Sequence, residues 1–143
     1  MTDITPEKHP FHSLANGDDY LRLCNASLGY ATDLKQNIGA IPIFGFAIDL
    51  MGHLNPIQWP MSLPFPPESL KGFVLKSIRE NQSAIIASAI CSEVTIRLGD
   101  KQASALQIEL SHRNEQALKV YRGLDNIAWA VEPGIDYFKL SPR

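Results

Sequence analysis

The chain has 143 residues and a mass of 15.9 kDa, the usual size of a single domain with one hydrophobic core. Hydrophobic residues make up 45% of it and charged residues 20%, which is typical of a globular protein and excludes a disordered chain. Thirteen basic and fifteen acidic residues give a net charge of −2. The chain therefore has no excess of positive charge to neutralise phosphates, and we expect no nucleic-acid partner.

The sequence contains no segment typical of a secreted or membrane protein. Residues 1–10 lack the basic start and apolar run of a signal peptide. The most apolar segment, Ile41 to Leu50, is shorter than the roughly 20 residues that cross a bilayer. Cys24 and Cys91 lie in apolar surroundings far apart in sequence, as buried thiols of cytosolic proteins do. We therefore predict a cytoplasmic protein that does not associate with membranes.

One helix is predicted near the N-terminus. Residues 1–16 carry two prolines and no hydrophobic period, which predicts a loose lead-in to a single domain over residues 17–143. Apolar residues then recur at steps of three and four, which predicts a helix over residues 19–37. Asp18 is its expected N-cap and Gly39 its expected end.

Residues 41–54 fit two structures. Their aromatic and β-branched side chains favour a buried strand that turns at Gly52. The chain then returns as a short edge strand over residues 56–60, because two prolines confine it to an edge. A helix through Leu54 is the alternative. Residues 60–67 contain four prolines, which predict a stiff connection to the second half of the chain.

The second half of the chain predicts a helix followed by strands. The helix begins at Pro67, since proline suits a first turn, and it ends near Asn81. Apolar and polar residues then alternate as in strands, and the turns between them are too short for parallel crossovers. A type II turn is expected over residues 132–135. The predicted strands cover residues 86–98, 106–110, 118–121, 127–131 and 136–140.

The predicted fold class is α+β, with two helices packed on one face of an antiparallel β-sheet in the order α-β-β-α-β-β-β-β-β. The alternation also predicts how two of the strands pair. Apolar positions on 86–98 and on 106–110 are even-numbered. If both apolar sets lie on one face of the sheet, even-numbered residues of one strand pair with even-numbered residues of the other. The numbers of two paired residues then add up to an even value, about 200 or 202. Glu93 then lies opposite Glu109 or diagonal to it.

Glu93 and Glu109 are therefore the candidate catalytic residues. Two close carboxylates repel each other, so that one holds its proton to a higher pH, and such a pair can supply a general acid and a general base. The structural alternative is an exposed sheet face with ordinary charge pairs. The next turn favours that alternative, because it places Glu109 opposite Lys119.

Other chemical signals are sparse. The chain has no phosphate loop, dinucleotide fingerprint, nucleophile elbow or zinc-ligand spacing, and we predict no cofactor and no metal. Asp49 and His53 flank the Gly52 turn and are candidate ligand-binding residues, although an Asp in a turn also caps backbone amides. Trp59, between two prolines, is a candidate partner contact or a lid over the core. His112 is expected to be a half-buried, hydrogen-bonded ring at the sheet edge.

Two functions are consistent with these residues, and the sequence leaves open whether the protein is an enzyme. The first is a small non-enzymatic protein-interaction domain that self-associates as a homodimer, since catalytic motifs are missing and a sheet edge can pair with a second strand. The alternative is a small-molecule-binding protein or a small enzyme with a carboxylate-containing pocket beside the sheet. The polar groups of that pocket would come from Asp49, His53, Glu93 and Glu109.

Overall fold

The computed structural model describes residues 10–57, 67–98, 100–124 and 129–137. Six strands form one antiparallel sheet in the spatial order β2-β1-β3-β4-β5-β6. A short 3₁₀ turn at Gln82–Ala84 leads from the second helix into the sheet. The elements in chain order are α1 (Gly17–Ile38), β1 (Phe44–Asp49), β2 (Leu54–Ile57), α2 (Pro67–Glu80), β3 (Ile85–Leu98), β4 (Lys101–His112), β5 (Glu115–Gly123) and β6 (Trp129–Pro133).

The predicted α+β class, the antiparallel sheet and the alternation of helices and strands along the chain are confirmed. Residues 41–54 contain a strand and a tight hairpin, not a helix, and β2 is an edge strand as expected. The last predicted strand, 136–140, lies mostly outside the described residues. Neither of the described helices has the length and apolar character needed to cross a bilayer.

The two helices lie on opposite faces of the sheet, where the sequence analysis expected them on one face. Tyr30 of α1 packs on Phe44, with ring centroids 4.7 Å apart. The next residue of β1, Gly45, faces α2, because a Cβ there would lie 2.8 Å from Val74 Cγ1. On β3, Cys91 packs in the core under α1 and Ile90 in the core under α2. Since both faces of the sheet are covered, the central strands are apolar on both sides.

The predicted pairing of β3 with β4 is wrong by one residue. Opposed residues have numbers that add up to 199, as in the pair of Ala87 and His112. Hydrophobicity could not decide the register, because β3 carries buried apolar residues on both faces, with Ala89 and Cys91 towards α1 and Ile90 towards α2. Glu93 therefore lies opposite Leu106 on the α1 side, and Glu109 lies opposite Ile90 on the α2 side.

Hydrogen bonds to residues at or just before the start of β5 hold the start of α1 in place. Asn16 precedes the first helical residue, so that the predicted N-cap at Asp18 is wrong. The backbone N–H of Asn16 donates to Glu115 Oε2 at 3.0 Å, and its side-chain amide donates to Asn114 O at 3.1 Å. Just upstream, Phe11 is fully buried. The described part of the predicted lead-in, residues 10–16, therefore packs against the domain.

His112 connects α1 to the turn between β4 and β5. Its ring is only 1% exposed, which is deeper than the half-buried position expected. Nδ1 accepts the backbone N–H of Asn114 at 2.9 Å, and Nε2 lies 2.9 Å from Asp19 Oδ2. Because Nδ1 accepts a hydrogen bond, the proton is on Nε2, which donates to the Asp19 carboxylate.

Gly134 shows that a local turn signal can mislead. The expected type II turn over residues 132–135 requires a positive φ at Gly134, but among the described glycines only Gly39 and Gly52 have one. Gly134 follows β6 instead and approaches the backbone of β5 closely. A Cβ there would lie 2.7 Å from the carbonyl carbon of Leu118. The glycine is therefore needed for space.

We expect Gly134→Ala to lower the free energy of unfolding by about 1–3 kcal/mol, because β6 must move away from the backbone of Leu118. The matched control is Gly29→Ala in α1, where a Cβ meets no atom within 4 Å. That substitution should raise stability by roughly 0.5–1 kcal/mol, since alanine is the better helix former. Urea unfolding of both variants measures the difference, and equal effects would contradict the close approach.

Candidate functional site

A cavity of about 410 Å³ opens between α2, the β1–β2 hairpin and the start of β3. Its volume lies in the range of small-molecule pockets, roughly 300–1,000 Å³. One wall is apolar and the rest of the lining is polar and uncharged apart from one carboxylate. The apolar lining residues are Ala47, Pro56, Ile57, Phe73, Ala84 and Ile85, and the polar ones are Asp49, Asn55, Ser77 and Asn81.

A β-bulge shapes the floor of this cavity. Ile48 pairs with Ala87, but the next residue, Asp49, pairs with Ile85, so that Ile86 is an extra residue in β3. Ile86 packs against the core under α1, while Ile85 turns to the α2 side and lines the cavity. The carbonyl of Ile86 accepts the backbone N–H of Arg113 at 3.0 Å, which satisfies the bulged residue. Bulges often reorient side chains beside binding sites.

Asp49 is held by the hairpin turn. Its Oδ1 accepts the backbone N–H groups of Met51 and His53, both at 2.9 Å. Its Oδ2 lies 3.3 Å from Asn55 Nδ2 and 3.5 Å from His53 Nδ1. The hydrogen bond from the His53 backbone is the main cause of a lowered pKa at Asp49, and the bonds from Met51 and Asn55 add to it. The carboxylate is therefore ionised at neutral pH.

The structure brings the predicted residues Asp49 and His53 together but gives them different positions. The His53 side chain is 74% exposed and does not line the cavity, whereas Asp49 does. Asp49 also caps backbone amides, which was the structural alternative for it, and Gly52 has the positive φ expected of the turn. Asp49 thus combines a structural role with a position at the cavity wall.

The amide orientations of Asn55 and Asn81 are fixed by their partners. Asn55 Nδ2 donates to Asp49 Oδ2 and to His53 O, both at 3.3 Å. Asn81 Nδ2 donates to Ser77 O at 2.8 Å. Carboxylate and carbonyl oxygens only accept hydrogen bonds, so that each amide must present its nitrogen to them. The Oδ1 acceptors are not used in these bonds.

Sequence reasoning missed the asparagines of this site. Asn81 was predicted only as the end of α2, and Asn55 was not singled out. The hairpin register contained a usable signal: Asn55 pairs with Ala47, which lies on the same face of β1 as Asp49. A hairpin with this register, centred on Met51, therefore places Asn55 on the same face as Asp49.

The candidate catalytic residues Glu93 and Glu109 are not brought together, because they lie on opposite faces of the sheet. Glu93 forms an ion pair with Lys35 of α1 at 2.8 Å. Glu109 is 4% exposed and does lie opposite Lys119, as expected. Neither carboxylate lines the cavity, and the two cannot act as an acid–base pair.

Glu109 instead anchors the segment after β6. Its Oε1 accepts the hydroxyl of Tyr137 at 2.8 Å, and its Oε2 lies 3.2 Å from Lys71 Nζ of α2. Burial, together with the hydrogen bond to Glu109, raises the pKa of Tyr137 above its usual range. The hydroxyl therefore remains a donor at neutral pH, and it satisfies a buried carboxylate oxygen.

Removing that hydroxyl should be costly. We expect Tyr137→Phe to lower the free energy of unfolding by about 1.5–3 kcal/mol, because a buried carboxylate oxygen loses its donor. Tyr121→Phe is the matched control, since Tyr121 also donates to a glutamate, Glu132, at 3.0 Å, but at an exposed position. The control should change stability by less than about 0.5 kcal/mol in urea unfolding. Equal losses would contradict the anchoring role of Glu109.

The remaining candidates do not form a second site among the described residues. No group of three or more His, Cys, Asp or Glu side chains there could hold a metal ion. Cys24 and Cys91 are free and buried, and burial raises the pKa of Cys91 to about 12, which disfavours the nucleophilic thiolate. Trp59 and the proline-rich connection over residues 60–66 lie outside the described residues.

Comparisons of the chain with protein-family models, with curated proteins and with solved structures give no match.

Proposed function

We propose that this protein binds a small organic molecule in the cavity between α2 and the β1–β2 hairpin. The observation that carries the proposal is the composition of the cavity, which combines apolar side chains with an ionised carboxylate and two oriented amides. Few converging polar groups on an apolar surface are the usual form of a ligand pocket. The bulge in β3 that turns Ile85 into the cavity, opposite Asp49, supports the same conclusion.

Binding is favoured over catalysis by the chemistry of Asp49. It is the only titratable group among the described residues that line the cavity. A general base works best with a pKa near the working pH, and the lowered pKa of Asp49 makes it a weak base. The carboxylate is better suited to orient a ligand by its charge.

A fragment screen followed by methyl NMR tests this proposal. Fragments of mixed charge are added to protein labelled at its alanine and isoleucine methyl groups. We expect binding fragments to shift Ala47, Ile57, Ala84 and Ile85 at the cavity and to leave Ile108, which is buried under α1, unchanged. A library with no fragment that shifts the cavity methyls would overturn the proposal.

A cavity-filling variant provides the control. Ala84 is exposed at the cavity wall, so that a tryptophan there can occupy the cavity without entering the core. Ala84→Trp should abolish the fragment-induced shifts, whereas Ala40→Trp, at an exposed position between α1 and β1, should retain them. Equal binding by both variants would contradict a site in this cavity.

Self-association is a second candidate, favoured by the outer edge of the sheet. Within the described residues, no strand pairs with the outer side of β6. Val131 on β6 is 40% exposed and Ile135 just after it is 48% exposed, and an apolar strand edge is a template for a second copy. Light scattering after gel filtration should give twice the mass of 15.9 kDa, reduced to one chain by Val131→Lys. A single-chain mass at all concentrations would contradict the homodimer.

We also propose a cytoplasmic location. It is supported by Cys24 and Cys91, which are both free and buried in the structure. Proteins of oxidising compartments usually pair their cysteines. Fluorescence of the tagged chain in its native cells tests this, and a signal confined to an extracytoplasmic compartment would contradict it.

A further inference from the structure

The proposed binding cavity carries a negative charge, with no Lys, Arg or His among its described lining residues. Among its described lining residues, Asp49 is the one charged group. An ionised carboxylate offers about four lone-pair positions. Two are taken on Oδ1 by backbone N–H groups and one on Oδ2 by Asn55. His53 Nδ1, at 3.5 Å, is too distant for a good hydrogen bond. Oδ2 therefore has capacity for one more donor.

The amides at the cavity add acceptors beside the carboxylate. Asn55 Nδ2 makes two bonds to protein oxygens and Asn81 Nδ2 makes one, and none of these bonds uses the Oδ1 atoms, which can therefore accept from a ligand. Together with Asp49 Oδ2, three acceptors belong to side chains that line one cavity. A carboxylate or a phosphate would instead be repelled by Asp49, the one charged group among the described lining residues. A positively charged donor is therefore the favoured ligand group.

A primary ammonium group meets both requirements. It carries one positive charge for the carboxylate and three donors for the acceptors of this lining. The apolar wall formed by Ile57, Phe73 and Ile85 favours an apolar body on the same molecule. We infer that the ligand of this cavity is a small primary amine with a compact hydrocarbon body, bound as its ammonium ion by Asp49, Asn55 and Asn81. This inference rests on the proposed function.

Three probes of similar shape separate charge from shape: cyclohexylmethylamine, cyclohexylmethanol and cyclohexanecarboxylate. Each is titrated into the full chain at pH 7, where an alkyl amine is protonated, and the cavity methyls are followed by NMR. We expect the amine to bind at least tenfold more tightly than the alcohol and the carboxylate not to bind. Charge-assisted hydrogen bonds to a carboxylate are stronger than neutral ones, which is the reason for the difference.

Asp49→Asn tests the residue assigned to the charge. An asparagine keeps an Oδ1 that can accept the N–H groups of Met51 and His53, so that the turn is retained while the charge is lost. This variant should weaken amine binding at least tenfold and change alcohol binding little. Asp33→Asn, an exposed position on α1, removes the same charge from the protein and should leave amine binding unchanged.

The outcomes separate this inference from the proposed function. If the alcohol or the carboxylate shifts the cavity methyls at least as strongly as the amine, the cavity binds ligands and the amine assignment is wrong. The assignment is also wrong if Asp49→Asn binds the amine as well as the unchanged protein does. If none of the three probes shifts the cavity methyls and the fragment screen also finds no ligand, both the amine assignment and the proposed function fail.

Discussion

Replacing His112 with alanine should lower the free energy of unfolding by about 3 kcal/mol. The substitution removes a fully buried ring and leaves a cavity beside Tyr20, whose ring centroid lies 5.9 Å away. It also removes the acceptor of the Asn114 N–H and the donor to Asp19. Because these bonds link α1 to the β4–β5 turn, the loss should appear in one cooperative urea transition.

Two aspartate variants serve as controls for this prediction. Asp19→Asn keeps an oxygen that can accept from His112 Nε2, so that it should cost less than His112→Ala. Asp18→Asn changes the exposed neighbour and should alter stability by less than about 0.5 kcal/mol. A His112→Ala variant as stable as Asp18→Asn would show that the buried imidazole does not connect the two elements.

The protein should lose stability steeply above pH 9. Burial raises the pKa of Cys91 to about 12 and raises that of Cys24 well above its ordinary value of 9.0. It also raises the pKa of Tyr20 and Tyr137 above 10.0. Each group therefore makes its full contribution to stability when the pH is below the pKa that the group has in the unfolded chain. This contribution is lost as the pH rises through the pKa that the group has in the folded chain. For Cys91 the loss is about 1 kcal/mol for each pH unit between 9 and 12, and Cys24 adds a loss in the same direction.

Urea unfolding at pH 8, 9, 10 and 11 in the presence of a reductant measures this effect. We expect little change from pH 8 to 9 and a loss of several kcal/mol by pH 11, mainly from the two thiols. Replacing both Cys24 and Cys91 with alanine removes the thiols, so that this variant is less stable at pH 8 but loses less between pH 9 and 11. Equal slopes in the two proteins would contradict the assignment to the cysteines.

The elements were predictable where one face of the chain is buried and the other is exposed. The period of α1 gave its extent within two residues at its start and one at its end, and Pro67 marked the start of α2. The hairpin around Gly52 was visible but ambiguous, because residues 41–50 are apolar on all sides. β1 is indeed buried on both faces, which is why its sequence has no clear period.

Register and helix placement could not be derived for the same reason. Cys91 and Ile90 of β3 are both core residues, each under a different helix. The prediction put the even-numbered residues of β3 on the core face, which placed Glu93 beside Glu109. With the odd-numbered residues on that face, the two glutamates are separated, as the structure shows. The type II turn at Gly134 failed because a close contact with β5 outweighed the local Pro-Gly signal.

The candidate site was only half predictable. Asp49 could be identified because it follows an apolar strand and precedes a glycine turn. The cavity around it depends on the bulge at Ile86 and on the approach of α2, and neither has a local sequence signal. Asn81 reaches the site only through the tertiary position of α2.

Intermolecular nuclear Overhauser effects between cyclohexylmethylamine and methyl-labelled protein test the central claim most directly, because they report which atoms lie within about 5 Å of each other. We expect effects from the ring protons of the amine to the methyl groups of Ala47, Ile57 and Ile85, and none to Ile108. Effects that reach other parts of the surface and omit these three residues would contradict a binding site in the cavity.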